Sequence, residues 1–190
     1  MSTIIADHFT AQIEGPFVVF LVGMQVNKPF HFRKWIKVSK AFVGMQQVLA
    51  DHPEKGCFGG ELFFRFPPLT TCWVSYWRSF EALETFARSK DDAHLEAWIR
   101  FNREIGTDGT IGVWHETYPI GEGQYEASYV NMPLFGLAGA TKQAIPIRGG
   151  YRQTARGRLT GKAETANIPE PVTVVNVVQN ADELLNVSDR

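Results

Sequence analysis

The stretch that most constrains this chain is Phe17-Val18-Val19-Phe20-Leu21-Val22, which follows Pro16. It is β-branched and aromatic, and every position is apolar. Extended side chains alternate between two faces, so both faces of such a strand are apolar. A strand with one wet face would alternate apolar with polar. This one needs a covering layer on each side of its sheet. The apolar run Phe17 to Met24 has eight residues, interrupted by Gly23, against about 20 that span a bilayer. The opening MSTIIADHFT has neither the charged nor the apolar region of a secretory signal. A cytoplasmic protein with no membrane partner is expected.

The residues that follow supply the layers. Phe32, Trp35, Ile36, Phe42, Met45 and Leu49 recur at steps of three and four, with Lys34, Lys37 and Lys40 between them, and His52-Pro53 closes the segment. That is an amphipathic helix. Gly56 to Phe66 and Thr70 to Trp77 read as two strands of a hairpin around Pro67-Pro68, with Gly59-Gly60 a bulge or a close approach. Ser79 opens a second helical region through Phe80, Leu83 and Phe86, and Ser89 with Asp92 starts a further helix over Ala93 to Ile105. After the turn Gly106-Thr107-Asp108-Gly109, Ile111 to Tyr118 forms a fourth strand and Gln124 to Asn131 a fifth. The order β-α-β-β-α-β is the ferredoxin-like unit of an α+β fold.

Composition sets the limits of that unit. With 190 residues, 44% hydrophobic and 13% aromatic, the chain can bury a real core without disulfides or metal. All five tryptophans precede residue 115, and no aromatic residue follows Tyr151. The expected organisation is an N-terminal extension over 1–15, the α+β domain over 16–140 and a C-terminal arm over 141–190. The arm begins with six basic residues and no acidic one between Thr141 and Lys162. It is either a solvated basic arm or a seat for an anionic partner. The formal net charge of −1 lacks the basic footprint of a dedicated nucleic-acid binder. Cys57 and Cys72 have no zinc spacing and read as buried small hydrophobes.

No nucleophile elbow, phosphate loop, dinucleotide fingerprint or zincin motif is present in the sequence. The densest polar and aromatic constellation is Gly112-Val113-Trp114-His115-Glu116-Thr117-Tyr118. On a strand, Val113, His115 and Thr117 share one face, and Trp114, Glu116 and Tyr118 the other. His115 is either a general base or haem ligand in a cavity, or a hydrogen-bonded structural histidine. His94, Trp98 and Asn102 lie on one helical stripe, either a pocket wall or a helix edge. Trp73, Ser75 and Trp77 share one face of the third strand, and Arg78 beyond it is either a carboxylate anchor or half of a structural ion pair. The segment from Asn131 to Ala138, broken by Pro133 and Gly136, is neither good strand nor good helix. It reads as a loop carrying Phe135 over something apolar, either a pocket or a dimer interface.

Four blocks carry a family resemblance: Tyr76 to Glu81, Ala97 to Asn102, Val113 to Tyr118 and Tyr129 to Leu137. Over about residues 16–140 the chain resembles a monooxygenase-like family of bacterial and fungal proteins, a branch of the dimeric α+β barrel superfamily. That superfamily also holds antibiotic-biosynthesis monooxygenases, haem-degrading monooxygenases and haem-containing aldoxime dehydratases. The resemblance implies a homodimer formed through the sheets and a pocket between each sheet and its helices. One face of the first strand would then line the pocket and the other meet the partner. Cofactor-free members oxidise electron-rich, enolisable substrates, which implies His115 as acid or base, Asn102 or Trp98 as orienting groups, and His94, Trp77, Trp114, Arg78 and Phe135 as further substrate contacts. Haem-dependent members need an axial histidine. Carried across without a gap, their helical ligand would fall near Glu96, so His94 matches only loosely and His115 is the remaining candidate. The expectation is an apolar or aromatic small-molecule substrate with either no cofactor or haem, and a non-catalytic binding or assembly protein as the alternative.

Overall fold

The computed structural model describes residues 3–88, 99, 103 and 105–161. The central element is the strand expected after Pro16, which runs longer than expected as β2, Phe17–Val26, after a short β1, Ile5–Thr10. Helix α1 covers Phe32–Asp51, as the three-and-four spacing predicts. The hairpin strands are β3, Cys57–Arg65, and β4, Thr70–Trp77, and α2 follows at Phe80–Arg88. Of the helix expected over 93–105, Ile99, Arg103 and Ile105 are described, and all three are helical. Then come β5, Ile111–Ile120, β6, Tyr129–Met132, α3, Gly136–Thr141, β7, Ile145–Pro146, and α4, Ala155–Thr160.

The main sheet has the order β3-β4-β2-β5. All of its pairs are antiparallel, so β2 and β4 are central and β3 and β5 are edges. This is the ferredoxin-like α+β arrangement that the element order predicts. The register sets Phe20 opposite Ser75 and Thr117, and Val22 opposite Trp73 and His115. Side chains of one row therefore share a face across three strands. A register shift between Cys57 and Gly59 marks the expected bulge. A Cβ on Gly60 would run into the Val74 carbonyl, so only glycine allows β3 to lie this close to β4 there.

Both faces of β2 are covered over part of their length. On the helix face, Val18, Leu49, Cys57, Trp73, Trp77 and Leu83 form one cluster. Met24, Val26, Val38 and Ile111 form another toward the start of α1. On the opposite face, Phe17 packs with Phe9, Leu137 and Ala138. That second layer comes from places the sequence reading left without structure. The N-terminal extension carries β1, which pairs with β6 on one side and β7 on the other. The sequence hides β1 because Asp7, His8 and Thr10 break its apolar pattern. The fifth strand is shorter than the expected Gln124 to Asn131 and joins this small sheet instead of the main one.

The beginning of the basic arm is tied to the body. Ile147 N–H donates to the His8 carbonyl at 2.9 Å, Arg148 pairs with Asp7 at 2.6 Å, and Arg158 pairs with Glu126 at 2.5 Å. Two of its cations thus meet acids of the same chain. Residues 162–190 lie outside the described residues.

Candidate functional site

Alternation along the strands decides which candidates can meet. Phe20 and Val22 of β2, Trp73 and Trp77 of β4, and Val113 and His115 of β5 all face the helices, as the register requires. From above, α1 adds Phe42, Met45, Gln46 and Leu49, and α2 adds Leu83 and Phe86. Together they line a cavity of about 110 Å³. A cavity of roughly 150 Å³ admits a benzene ring. At about 110 Å³ the cavity holds a short aliphatic fragment or part of a ring, and anything larger extends out through the mouth.

The walls are aromatic and interlocked. Trp73 meets Phe42 edge-on with ring centres 6.2 Å apart, and Trp77 meets Phe86 at 5.6 Å. Trp77 is 0% exposed. Its indole N–H donates to Ser75 Oγ at 3.0 Å, and that hydroxyl donates to the Phe20 carbonyl at 3.1 Å. This chain satisfies the polar groups beneath the cavity floor. Trp77 therefore offers a ligand a flat apolar wall and no hydrogen bond.

Among the described residues, the His115 ring, the Gln46 amide and the Trp73 indole N–H are the polar groups of the lining that are not tied up in this way. His115 is exposed, because β5 is an edge strand, and it stands at the mouth. Its ring lies 5.8 Å from that of Phe20. Among the described residues neither ring nitrogen has a hydrogen-bond partner. An imidazole at the rim of an apolar cavity can take a proton from a ligand, or return one, while staying in reach of water.

The other candidates lie elsewhere. Trp114 is on the opposite face of β5, one residue out of phase with His115. Phe135 is also on that opposite face, packed edge-on against Phe63 at 6.0 Å. Arg78 sits where β4 passes into α2, in a separate hollow of about 350 Å³ with Glu54, Lys55 and Glu81. Its guanidinium donates to the Glu54 carbonyl at 3.4 Å, so it serves the chain's own turn. His94, Trp98 and Asn102 lie outside the described residues. The structure thus joins His115 with Trp77 and adds Phe20, Phe42, Trp73 and Gln46. Phe42 and Trp73 were visible in the apolar patterns, whereas nothing singled out Gln46, one amide beside the apolar stripe of α1.

The segment expected to be a loop over something apolar is ordered against its own sheet. Gly136, with φ of +56°, turns the chain out of the extended Phe135 into α3. Gly136, Leu137 and Ala138 are buried. The Glu61 carboxylate accepts the Gly136 N–H at 3.1 Å, and Tyr129 Oη accepts the Ala138 N–H at 3.3 Å. Burial, with Glu61 nearby, pushes the Tyr76 and Tyr129 hydroxyls above their usual range. The segment covers the face away from His115 and cannot be a lid over that cavity.

The cavity adjoins a larger hollow of about 490 Å³ that shares Gln46, Leu49 and Trp73 with it. Among the described residues no three His, Cys, Asp or Glu side chains are grouped to hold a metal ion.

Comparison with known proteins places this geometry. At 14% identity and a TM-score of 0.54, 76% of the chain superposes on 45% of a crystallised aldoxime dehydratase (OxdRE) in complex with butyraldoxime. That likeness shows the fold. Monooxygenase af470 of Aspergillus fumigatus is 30% identical over 155 residues, which make up 69% of this chain and 53% of that protein. The chain spans about half the length of this curated relative. The family model for Monooxygenase af470-like proteins matches residues 17–137, from the first residue of β2 into α3. The chain belongs to the Monooxygenase af470-like family.

Proposed function

We propose that the protein is a monooxygenase for a small apolar or aromatic metabolite, with His115 as its acid–base group. The observation that carries this reading is the aromatic cavity between the sheet and α1, with His115 at its mouth. An apolar fragment fills the cavity and leaves its polar, acidic end beside His115. Removal of a proton there makes an electron-rich anion that can reduce O₂ itself. The protein then needs only to deprotonate, orient and exclude water. The Gln46 amide can hold the oxygen on which charge develops.

The other face of the sheet supports a homodimer. Phe63 is 44% exposed and Tyr118 47% exposed there, next to the partly buried Leu21, Cys72 and Trp114. A second copy covering these residues would bury an apolar face that α3 and the small sheet leave open.

The test is oxygen uptake by the full chain with electron-rich phenols and 1,3-dicarbonyl compounds. Uptake with at least one of them, lost in His115→Gln at unchanged thermal stability, is expected. Uptake by the variant equal to wild type would overturn the assignment of His115.

A further inference from the structure

The end of the molecule where β2 finishes and α1 begins carries a surface that the catalytic reading does not use. Phe30 is 93% exposed, Phe66 82%, Phe64 68% and Phe32 54%. Phe30 sits in the turn between β2 and α1, and Phe66 at the tip of the β3–β4 hairpin. The two turns belong to the same end of the sheet, because Val26 N–H donates to the Leu69 carbonyl at 2.9 Å. A single exposed phenylalanine is ordinary. Here Phe30 and Phe66 stand on adjoining turns, with Phe32 at the start of α1 and Phe64 near the end of β3, an accumulation of exposed apolar side chains of the kind that marks a contact surface.

Cations predominate around the patch. From Asn27 to Ala50 the chain carries five cations, Lys28, Arg33, Lys34, Lys37 and Lys40, and no acid. Asp108 of the loop before β5 pairs with Lys34 at 2.8 Å. Arg33 and Lys28 are exposed beside Phe30 and Phe32, and the Lys28 ammonium also donates to the Asp108 carbonyl oxygen at 2.9 Å. The first turn of α1 has no acidic residue, although acids favour a helix start and cations disfavour it. Arg33 in that turn therefore works against the helix, so helix stability does not account for it.

We propose that this end docks on the surface of an anionic lipid bilayer, with Phe30 and Phe66 entering the interface and Lys28 and Arg33 meeting the headgroups. Protruding tips rather than a flat or concave face, together with a local excess of cations over acids between Asn27 and Ala50, suit a fluid anionic surface better than a second copy of the same positive end. No helix among the described residues is long and apolar enough to cross a membrane, so the contact is peripheral. The inference stands apart from the reaction assigned to His115.

The test is sedimentation of the full chain with phosphatidylcholine vesicles, with and without phosphatidylserine, and light scattering of the same samples without lipid. The wild type is expected to bind the phosphatidylserine vesicles at least about tenfold more tightly, less so at high salt. Phe30→Ser combined with Phe66→Ser is expected to weaken binding by about tenfold or more, and Arg33→Glu by roughly fivefold, with unaltered melting temperatures because the side chains are exposed. Equal or absent binding to the two vesicle types overturns the proposal. So does a double variant that binds vesicles like wild type, or one whose only change is a lower molar mass, which would make the patch an interface between copies.

Discussion

The two faces of the main sheet are built from the same strands by the same alternation, yet they end in different states. Under α1 and α2, Val18, Trp73 and Trp77 are closed over, and what is left is a small dry hollow with one imidazole at its rim. On the other face, α3 and the β1-β6-β7 sheet cover only the end near Phe17, Val19 and Tyr76. The stretch around Phe63 and Tyr118 stays exposed. Covering by helices leaves a cavity, and partial covering by the chain ends leaves an exposed stretch. We propose the first face for chemistry and the second for assembly.

The sharpest way to break this contrast is His115→Gln. Loss of a positioned acid–base group lowers turnover by roughly 10²–10⁴-fold, measured as oxygen uptake, with urea midpoints unchanged. On the same face Trp77→Ala should cost about 3–5 kcal/mol in urea denaturation, since it removes a fully buried wall and the donor to Ser75 Oγ. On the other face Phe63→Asp should lower the unfolding free energy by about 0.5–1.5 kcal/mol through its lost contact with Phe135 and halve the molar mass in light scattering. The cysteines report both faces at once. Burial pushes the Cys57 thiol up to about 11, so it stays protonated and unreactive to iodoacetamide until far above neutral pH. Cys72, raised less and only partly buried on the open face, should alkylate first in the dilute protein and more slowly once copies pair. The smallest effect is expected from Arg148→Ala, which breaks an exposed ion pair to Asp7 worth about 0.2–1 kcal/mol.

Much of the fold was legible because β2, α1 and β4 carry strong periodicity. Apolar residues at every position of Phe17 to Val22 announced two covering layers, and the helical spacing from Phe32 to Leu49 supplied one of them. The second layer was hidden. β1 mixes Asp7 and His8 with apolar residues, and Pro133 and Gly136 look like breakers, although Gly136 is what lets α3 start. At the site, the faces of Trp77 and His115 could be read from alternation alone. Their meeting with Gln46 could not, because it depends on how α1 rotates over the sheet. Trp114 and Phe135 were attractive as aromatics, but a period of two sends Trp114 to the far side, and Phe135 follows α3 there.

The central claim is that ligand binds on the helix face and not on the open one. Two-dimensional NMR of the histidine rings and tryptophan indoles during titration with phenol, a single-ring probe, tests it directly. The signals of His115, Trp73 and Trp77 should shift together while that of Trp114 stays in place. A shift confined to Trp114, with His115 and Trp77 unmoved, would contradict the account.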